Sequence, residues 1–376
     1  MGERTQAALY SGIDLDLSWS EHQLPQFERT KHVHGLHPYL GKFIPQLVDV
    51  FLRRYFRPGD CVYDPFVGSG TTLVEANAFG ASGIGCDISA FNCLLTRVKT
   101  AEYAVGALEM ALRATYEESR RNEHRVDLSQ ATEWLHRWYA PRALRELLAY
   151  RAAACELDEP IRDVARVILS RSARSARLTT HFDLDFPRQP VREAYYCHKH
   201  KRTCAPVEEA GKFLRRYSSD TTQRIRTHAS VRGSTKLMVL HEDSRTARLP
   251  TKPSGIVTSP PYPGLIDYHE QHRYAYELLG LVDRRLEEIG PASRGTSRSA
   301  LAEYQCSMVD VFRNASEQMD PGSPVVIVVN DSRNLYPEIL TRSGLHLEEV
   351  LTRHVNRRTG RRAGEFYENV LVCRVA

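Results

Sequence analysis

An α/β fold built on a parallel sheet is predicted by three observations. Residues 61 to 87 run through an apolar strand, a glycine turn, a helical stretch and a second apolar strand. Short β-branched runs recur near the C-terminus, and a long helical block lies between the two. A strand, helix and strand in succession form a βαβ unit, which requires a parallel sheet covered on both faces.

The first unit starts with Cys61-Val62-Tyr63 and turns at Asp64-Pro65-Phe66-Val67-Gly68-Ser69-Gly70-Thr71-Thr72. It continues helically from Leu73 to Phe79 and re-enters a strand at Gly83-Ile84-Gly85-Cys86, ending at Asp87. Further buried strands are expected at Gly255 to Thr258, which ends in a Ser-Pro-Pro-Tyr turn, at Pro324 to Val329 and at Asn369 to Val375. Between the two blocks, Trp134, Leu135, Trp138, Leu144, Leu147 and Leu148 recur at helical spacing. Three segments follow: 1–115 and 236–376 as halves of one catalytic domain, and 116–235 as a helical and basic insert.

Composition is that of a globular chain of 376 residues, 42% hydrophobic and 26% charged. No apolar run approaches the roughly 18 residues of a membrane span, and Met1 to Ser20 has no basic segment followed by an apolar one. The eight cysteines are dispersed, which suits buried thiols in a reducing compartment. A cytoplasmic protein without a membrane partner is expected. The net charge of +5 is unevenly spread: residues 161 to 235 hold 16 Lys or Arg against 7 Asp or Glu, leaving −4 for the rest. Tyr195, Tyr196, Phe213, Tyr217, Phe182 and Phe186 are interleaved with these cations, a pattern that suits phosphates and exposed bases as well as a solvated face.

The glycine turn bends where a ligand must approach the backbone, and the helix behind it aims free N–H groups at that ligand. Asp87 closes the next strand 23 residues after Asp64, near the spacing at which an acid reaches a ribose hydroxyl pair. The signature of a triphosphate loop is missing, and so is a third glycine of the dinucleotide pattern. An adenosine-containing cofactor remains the expectation, with a tight βα connection as the bland alternative. In Thr258-Ser259-Pro260-Pro261-Tyr262, two prolines remove two donors and stiffen the chain. The Ser259 hydroxyl and the carbonyl oxygens are left as acceptors, and Tyr262 as a stacking plane for a base.

The Asp64 to Thr72 turn and the Thr258 to Tyr262 turn together resemble the S-adenosylmethionine-dependent DNA amino-methyltransferases. His37-Pro38-Tyr39-Leu40-Gly41-Lys42-Phe43-Ile44-Pro45 is similar to the segment that in this family precedes the glycine turn and packs on the methionine end of the cofactor. The match spans residues 30 to 100 and 255 to 270. It implies a seven-stranded Rossmann-like methyltransferase sheet with one antiparallel strand, and the basic insert as target-recognition region.

Carried over by residue, the resemblance places His37, Lys42, Phe43, Asp64, Pro65, Phe66, Gly68, Ser69, Gly70, Thr71 and Thr72 around the cofactor. Asp87 and Ile88 fall at its ribose, and Asp243 near its adenine. Ser259, Pro260, Pro261 and Tyr262 would hold a base flipped from double-stranded DNA. Serine at the first position is commoner among cytosine-N4 enzymes, which favours N4 methylation of cytosine. Adenine-N6 methylation, methylation of an RNA base amine, and a DNA-binding protein with a vestigial fold are the alternatives. A restriction nuclease is a candidate partner by the same resemblance.

Arg171, Arg174 and Arg177 are spaced by three, so on a helix they would form one cationic ridge for DNA. Cys197-His198-Lys199-His200-Lys201-Arg202-Thr203-Cys204 has near-ligand spacing at Cys197, His200 and Cys204. The second pair usual in a structural zinc site is missing from it, so Lys199, Lys201 and Arg202 are assigned to a phosphate-binding loop and no metal is assigned. His32, His34 and His37 read as packing or hydrogen-bonding groups. Asp267 reads as a helix cap or an assistant to the chemistry, and Asn330-Asp331 as residues at the same sheet edge.

Overall fold

Strand β1 (Cys61–Asp64) lies at the centre of the sheet because both of its faces are apolar: Val62 packs into one hydrophobic cluster and Tyr63 into another. The computed structural model describes residues 17–41, 44–181, 183–184, 187–355 and 366–376. Helix α1 (Pro45–Tyr55) starts on a proline at its first turn, where the missing N–H costs nothing, and buries Leu47, Val48, Phe51 and Leu52 against the Val62 face. After β1 come α2 (Thr71–Phe79), β2 (Ser82–Cys86) and α3 (Ala90–Thr100), which Ser89 caps by accepting from the Asn92 N–H.

Strands β5 (Leu237–Leu240), β6 (Gly255–Thr258), β7 (Pro324–Val329), β8 (Leu345–His354) and β9 (Tyr367–Val375) complete a seven-stranded sheet in the order β5-β2-β1-β6-β7-β9-β8. β9 runs antiparallel to both of its neighbours, and the pairs from β5 to β7 are parallel. Along β7, Val325, Ile327 and Val329 face one cluster while Val326 and Val328 face the other, the two-residue period of a strand buried on both sides. The strand order reverses between β1 and β6. At such a switch point the carboxyl ends of two neighbouring strands open a crevice.

Five expected strands are present, the last beginning at Tyr367 rather than Asn369. Two edge strands were not foreseen from the sequence. β8 reads Leu-His-Leu-Glu-Glu-Val-Leu-Thr-Arg-His, largely exposed or half-buried and interrupted by a bulge between Leu347 and Glu349, as edge strands commonly are.

Between β2 and β5 stand α4 (Val105–Asn122), α5 (Glu133–Trp138), α6 (Pro141–Cys155) and α7 (Ile161–Ala176), followed by a short hairpin of β3 (Tyr195–Cys197) and β4 (Arg202–Cys204) and then α8 (Gly211–Ala229). Of the predicted apolar positions, Leu135, Trp138, Leu144, Leu147 and Leu148 are buried and Trp134 is half-buried against them. They share a core with Phe91, Leu94, Leu95 and Val98 of α3, and with Tyr274 and Tyr276 of α10 (Arg273–Leu279), which follows the short helix α9 (Tyr268–Gln271). The helical insert is thereby fused to the side of the sheet that carries the glycine turn. Among the described residues, no helix is long and apolar enough to cross a membrane.

Candidate active site

β1 ends at Asp64, whose carboxylate is fully buried beneath the two turns. Its Oδ1 accepts from the Phe66 N–H at 3.1 Å and from the Thr258 hydroxyl at 2.6 Å, and its Oδ2 accepts from the Thr72 hydroxyl at 2.6 Å. Burial pushes its pKa up to about 6, although all three bonds favour the ionised form. One side chain thus ties the end of β1, the start of α2 and the end of β6 together. Gly68 and Gly70 take left-handed φ values of 48° and 79°. A Cβ at Gly70 would sit 2.9 Å from the Thr96 hydroxyl and methyl, so only glycine lets the turn close.

Asp87, at the end of β2, reaches back to the same turn. Its Oδ2 accepts from the Gly68 N–H and from Asn92 Nδ2, both at 3.0 Å, and its Oδ1 accepts from the Ser89 N–H at 2.8 Å. Burial raises its pKa against those bonds. Lys99, buried under the turn, donates to the Ser69 carbonyl.

The Ser259 to Tyr262 turn leaves β6 beside β1, in parallel register with Tyr63 opposite Ile256. Tyr304 is fully buried on α11 (Arg298–Ser316) and donates its hydroxyl to the Pro261 carbonyl at 3.0 Å. Tyr262 donates to Glu368 Oε1 at 3.2 Å, and burial beside that carboxylate holds its pKa well above the usual tyrosine range. Glu288 accepts from the His269 N–H at 2.7 Å and from the His269 ring, which fastens the segment of Glu288 onto α9.

A cleft of about 820 Å³, counted to its open mouth, runs across these elements. It is lined by Pro65, Phe66, Gly68, Ser69, Thr71, Asp87, Ile88, Asp243, Ser259 and Pro261, so ten of the expected site residues converge on one space. Tyr39, Tyr268, Ser244 and Glu288 line it too. Tyr39 stacks on Tyr268 with ring centroids 5.7 Å apart. Tyr39 stood in the quoted His37 to Pro45 segment. Tyr268 carried no sequence signal, because a lone aromatic in a polar loop has no periodicity to mark it.

Several expectations are corrected by the geometry. Asp64, Gly70 and Thr72 lie beneath the cleft rather than in its wall, their polar atoms or space consumed by one another and by Thr96. His37 is buried away from the cleft, its Nδ1 2.7 Å from the Pro38 carbonyl and its Nε2 3.2 Å from the Ser170 hydroxyl, and it packs on Phe91. Pro260 and Tyr262 belong to the same turn as the lining residues Ser259 and Pro261. Asp267 accepts from the Ser293 N–H and hydroxyl at 3.0 Å instead of capping α9. Asn330 donates to the Tyr367 carbonyl, and Asp331 accepts from Leu335 and Tyr336 N–H groups at the start of α12 (Tyr336–Arg342), so neither lines the cleft. Lys42, Phe43, Phe182 and Phe186 lie outside the described residues.

The arginine ridge also dissolves. Arg171 pairs with Asp220 and lies 4.1 Å from the centroid of the Tyr217 ring. Arg177 is buried, donates to the Leu184 carbonyl and lies over Tyr274. Arg174 is half-buried in α7. Arg224, Arg226 and Arg232 pair with Asp220, Glu109 and Glu102. Lys199, Lys201 and Arg202 of the hairpin, with Arg215 and Arg216 of α8, are exposed and make no ion pair among the described residues. The net positive charge of the insert is therefore displayed from the hairpin and the first half of α8.

Known proteins match this chain along the same lines. A family model described as DNA methylase matches residues 10–97. The chain is 36% identical to the type II methyltransferase M.MjaII of Methanocaldococcus jannaschii, over 96% of this chain and 83% of that one. It is 37% identical to the type II methyltransferase M.MvaI of Kocuria varians over a shorter stretch, 21% of this chain and 18% of that one. Among solved structures it is similar, at TM-score 0.35 and 8% identity, to an S-adenosylmethionine-dependent methyltransferase of Methanosarcina mazei, over 86% of this chain and 96% of that one.

The cleft residues fit the cofactor by their chemistry. Asp87 brings a carboxylate to the cleft, and Phe66 and Ile88 bring apolar surface to it. Tyr39 and Tyr268 line the cleft as well, and a Cβ at Gly68 would approach the Tyr39 hydroxyl to 3.0 Å, so the turn and that ring are shaped to each other. On this sequence and architecture the chain belongs to the DNA methylases that transfer a methyl group from S-adenosylmethionine to a base amine.

Proposed function

We propose that the protein methylates the exocyclic N4 of cytosine in double-stranded DNA, at a base flipped out of the helix, as one half of a type II restriction and modification pair. The reading is carried by the shared cleft: Ser259 and Pro261 line the same space as Gly68 and Asp87. An acceptor for the target amine and a seat for the cofactor thus stand at one sheet rim. S-adenosylmethionine supplies, when bound, a sulfonium-activated methyl group.

The chain's own residues do the rest. An aromatic amine is a weak nucleophile because its lone pair is delocalised into the ring. Ser259 Oγ and the Pro260 carbonyl accept from its two N–H groups and draw the nitrogen towards tetrahedral geometry. The two prolines hold these acceptors without competing donors, and Tyr304 fixes the turn through the Pro261 carbonyl. Alignment of the amine in line with the methyl group then supplies much of the rate. Direct transfer needs no covalent enzyme intermediate and so no cysteine nucleophile, and burial pushes the Cys86 thiol, next to Asp87, up to about 12. Tyr262 flanks the turn and stacks on the extruded base, which offsets part of the few kcal/mol that flipping costs. Lys199, Lys201 and Arg202 contact DNA phosphates.

Serine at position 259 favours cytosine over adenine. Digestion of DNA treated with the protein and S-adenosylmethionine, followed by mass spectrometry of the nucleosides, tests the reading. N4-methylcytosine is expected. N6-methyladenine would transfer the same chemistry to adenine and overturn the cytosine assignment, and an unmodified digest would overturn the reading entirely.

A further inference from the structure

The β3–β4 hairpin has no apolar core of its own. It pairs only Tyr195 to Cys197 with Arg202 to Cys204, and among the described residues none of its members belongs to a hydrophobic cluster. Isolated two-stranded hairpins are at best marginally stable in water. Its inward-facing side chains are instead Cys197 and Cys204, both buried and both free thiols.

Two histidines meet them. His200, in the hairpin loop, places Nδ1 3.7 Å from Cys197 Sγ and 3.6 Å from Cys204 Sγ. His181, from the loop after α7, places Nδ1 3.6 Å from Cys197 Sγ. The Tyr195 hydroxyl accepts from the His181 N–H at 3.0 Å and pins that residue against the hairpin. One ligand atom from each of the four residues lies within 4.8 Å of the others. His181 Nδ1 also lies 2.9 Å from the Tyr195 hydroxyl, and the sulfur contacts, made by weak thiol donors and acceptors, hold the four groups together only loosely without an ion.

We propose that His181, Cys197, His200 and Cys204 bind a structural zinc ion. With Zn–S near 2.3 Å and Zn–N near 2.0 Å, tetrahedral geometry sets a sulfur and a nitrogen roughly 3.5 Å apart, the separation that these side chains already hold. Two thiolates with two imidazoles make a closed set of four that favours zinc over the oxygen-seeking divalent cations. Each cysteine releases its thiol proton to solvent on binding, and both imidazoles bind as neutral rings. His181 lies 16 residues before Cys197, which is why the cluster from 197 to 204 looked one ligand short in the sequence. The metal takes the place of a core and holds the loop of Lys199 and Lys201 in shape. Its consequence for DNA docking rests on the proposed function, whereas the site itself does not.

The test is elemental analysis of the full-length protein purified without chelator. About one zinc per chain is expected, falling to near zero in the Cys197→Ser/Cys204→Ser variant. A second measurement guards against a variant that merely misfolds. The wild-type chain, stripped of metal and titrated with Co²⁺ alone, should develop the intense visible d–d bands of a tetrahedral site together with thiolate-to-cobalt charge transfer in the near ultraviolet. Wild-type protein free of zinc and lacking those cobalt bands would overturn the proposal, as would full zinc retention by a folded double-serine variant. Neither result bears on methyl transfer, so failure of the metal site and failure of the cytosine reading remain distinguishable.

Discussion

The Asp64 carboxylate and the Thr258 hydroxyl meet at 2.6 Å, one on the strand that enters the glycine turn and the other on the strand that enters the Ser-Pro-Pro-Tyr turn. The two halves of the cleft are thereby joined by a buried bond, and the other Asp64 oxygen holds Thr72, whose hydroxyl also reaches the Val257 carbonyl of β6.

Burial of that carboxylate has a pH signature. The folded-state pKa of Asp64 is raised from 3.8 to about 6, so between those values the folded chain keeps a proton that the unfolded chain has lost. Stability from this group therefore falls as pH rises from about 4 to about 6 and is level above, a swing of order 3 kcal/mol at roughly 1.4 kcal/mol per pKa unit. Asp64→Asn should remove the swing. In urea denaturation, the deficit of the variant relative to wild type should shrink between about pH 4 and pH 7, and a constant difference would count against it.

Asp87→Asn should weaken S-adenosylmethionine binding by about tenfold or more. Hydrogen bonds to a charged group contribute roughly 1.5–3 kcal/mol, and the amide keeps the shape while discarding the charge. Isothermal titration of the purified variant reads it. Unchanged affinity would exclude Asp87 from the cofactor seat.

Ser259→Ala should bind the cofactor as wild type does and lose about a hundredfold or more in kcat, the scale on which one preorganised hydrogen-bonding group acts in a transition state. Tyr304→Phe acts one layer further back. It frees the Pro261 carbonyl and should lower kcat less than Ser259→Ala, leaving the KM for S-adenosylmethionine unchanged. Steady-state kinetics with labelled cofactor separates the two.

The hairpin and the helix should respond differently to loss of charge. Lys199→Ala, Lys201→Ala and Arg202→Ala combined should reduce the slope of log K against log salt for DNA binding by about 2 to 3, with cofactor affinity intact. Arg171→Ala instead breaks a partly buried ion pair and a cation–π contact, and should cost about 1–3 kcal/mol of stability. Fluorescence anisotropy at several salt concentrations, alongside thermal melts, checks both.

Local pattern by itself determined much of this protein. A β-branched run reads as a strand whatever surrounds it, glycines at 68 and 70 are demanded by positive φ, and the end of a strand fixes where Asp87 and Ser259 emerge. The βα turn, the Ser-Pro-Pro-Tyr turn and the central strands were legible for that reason. Only the tertiary structure decided which residues line the cleft and which stand behind it, because Asp64 and Thr72 are withdrawn by bonds to β6, which follows β1 by nearly two hundred residues. It likewise buried Arg177, exposed β8 at a sheet edge and brought His181 to the two cysteines. Burial and pairing between distant segments depend on how elements stack, and no short window of sequence carries that.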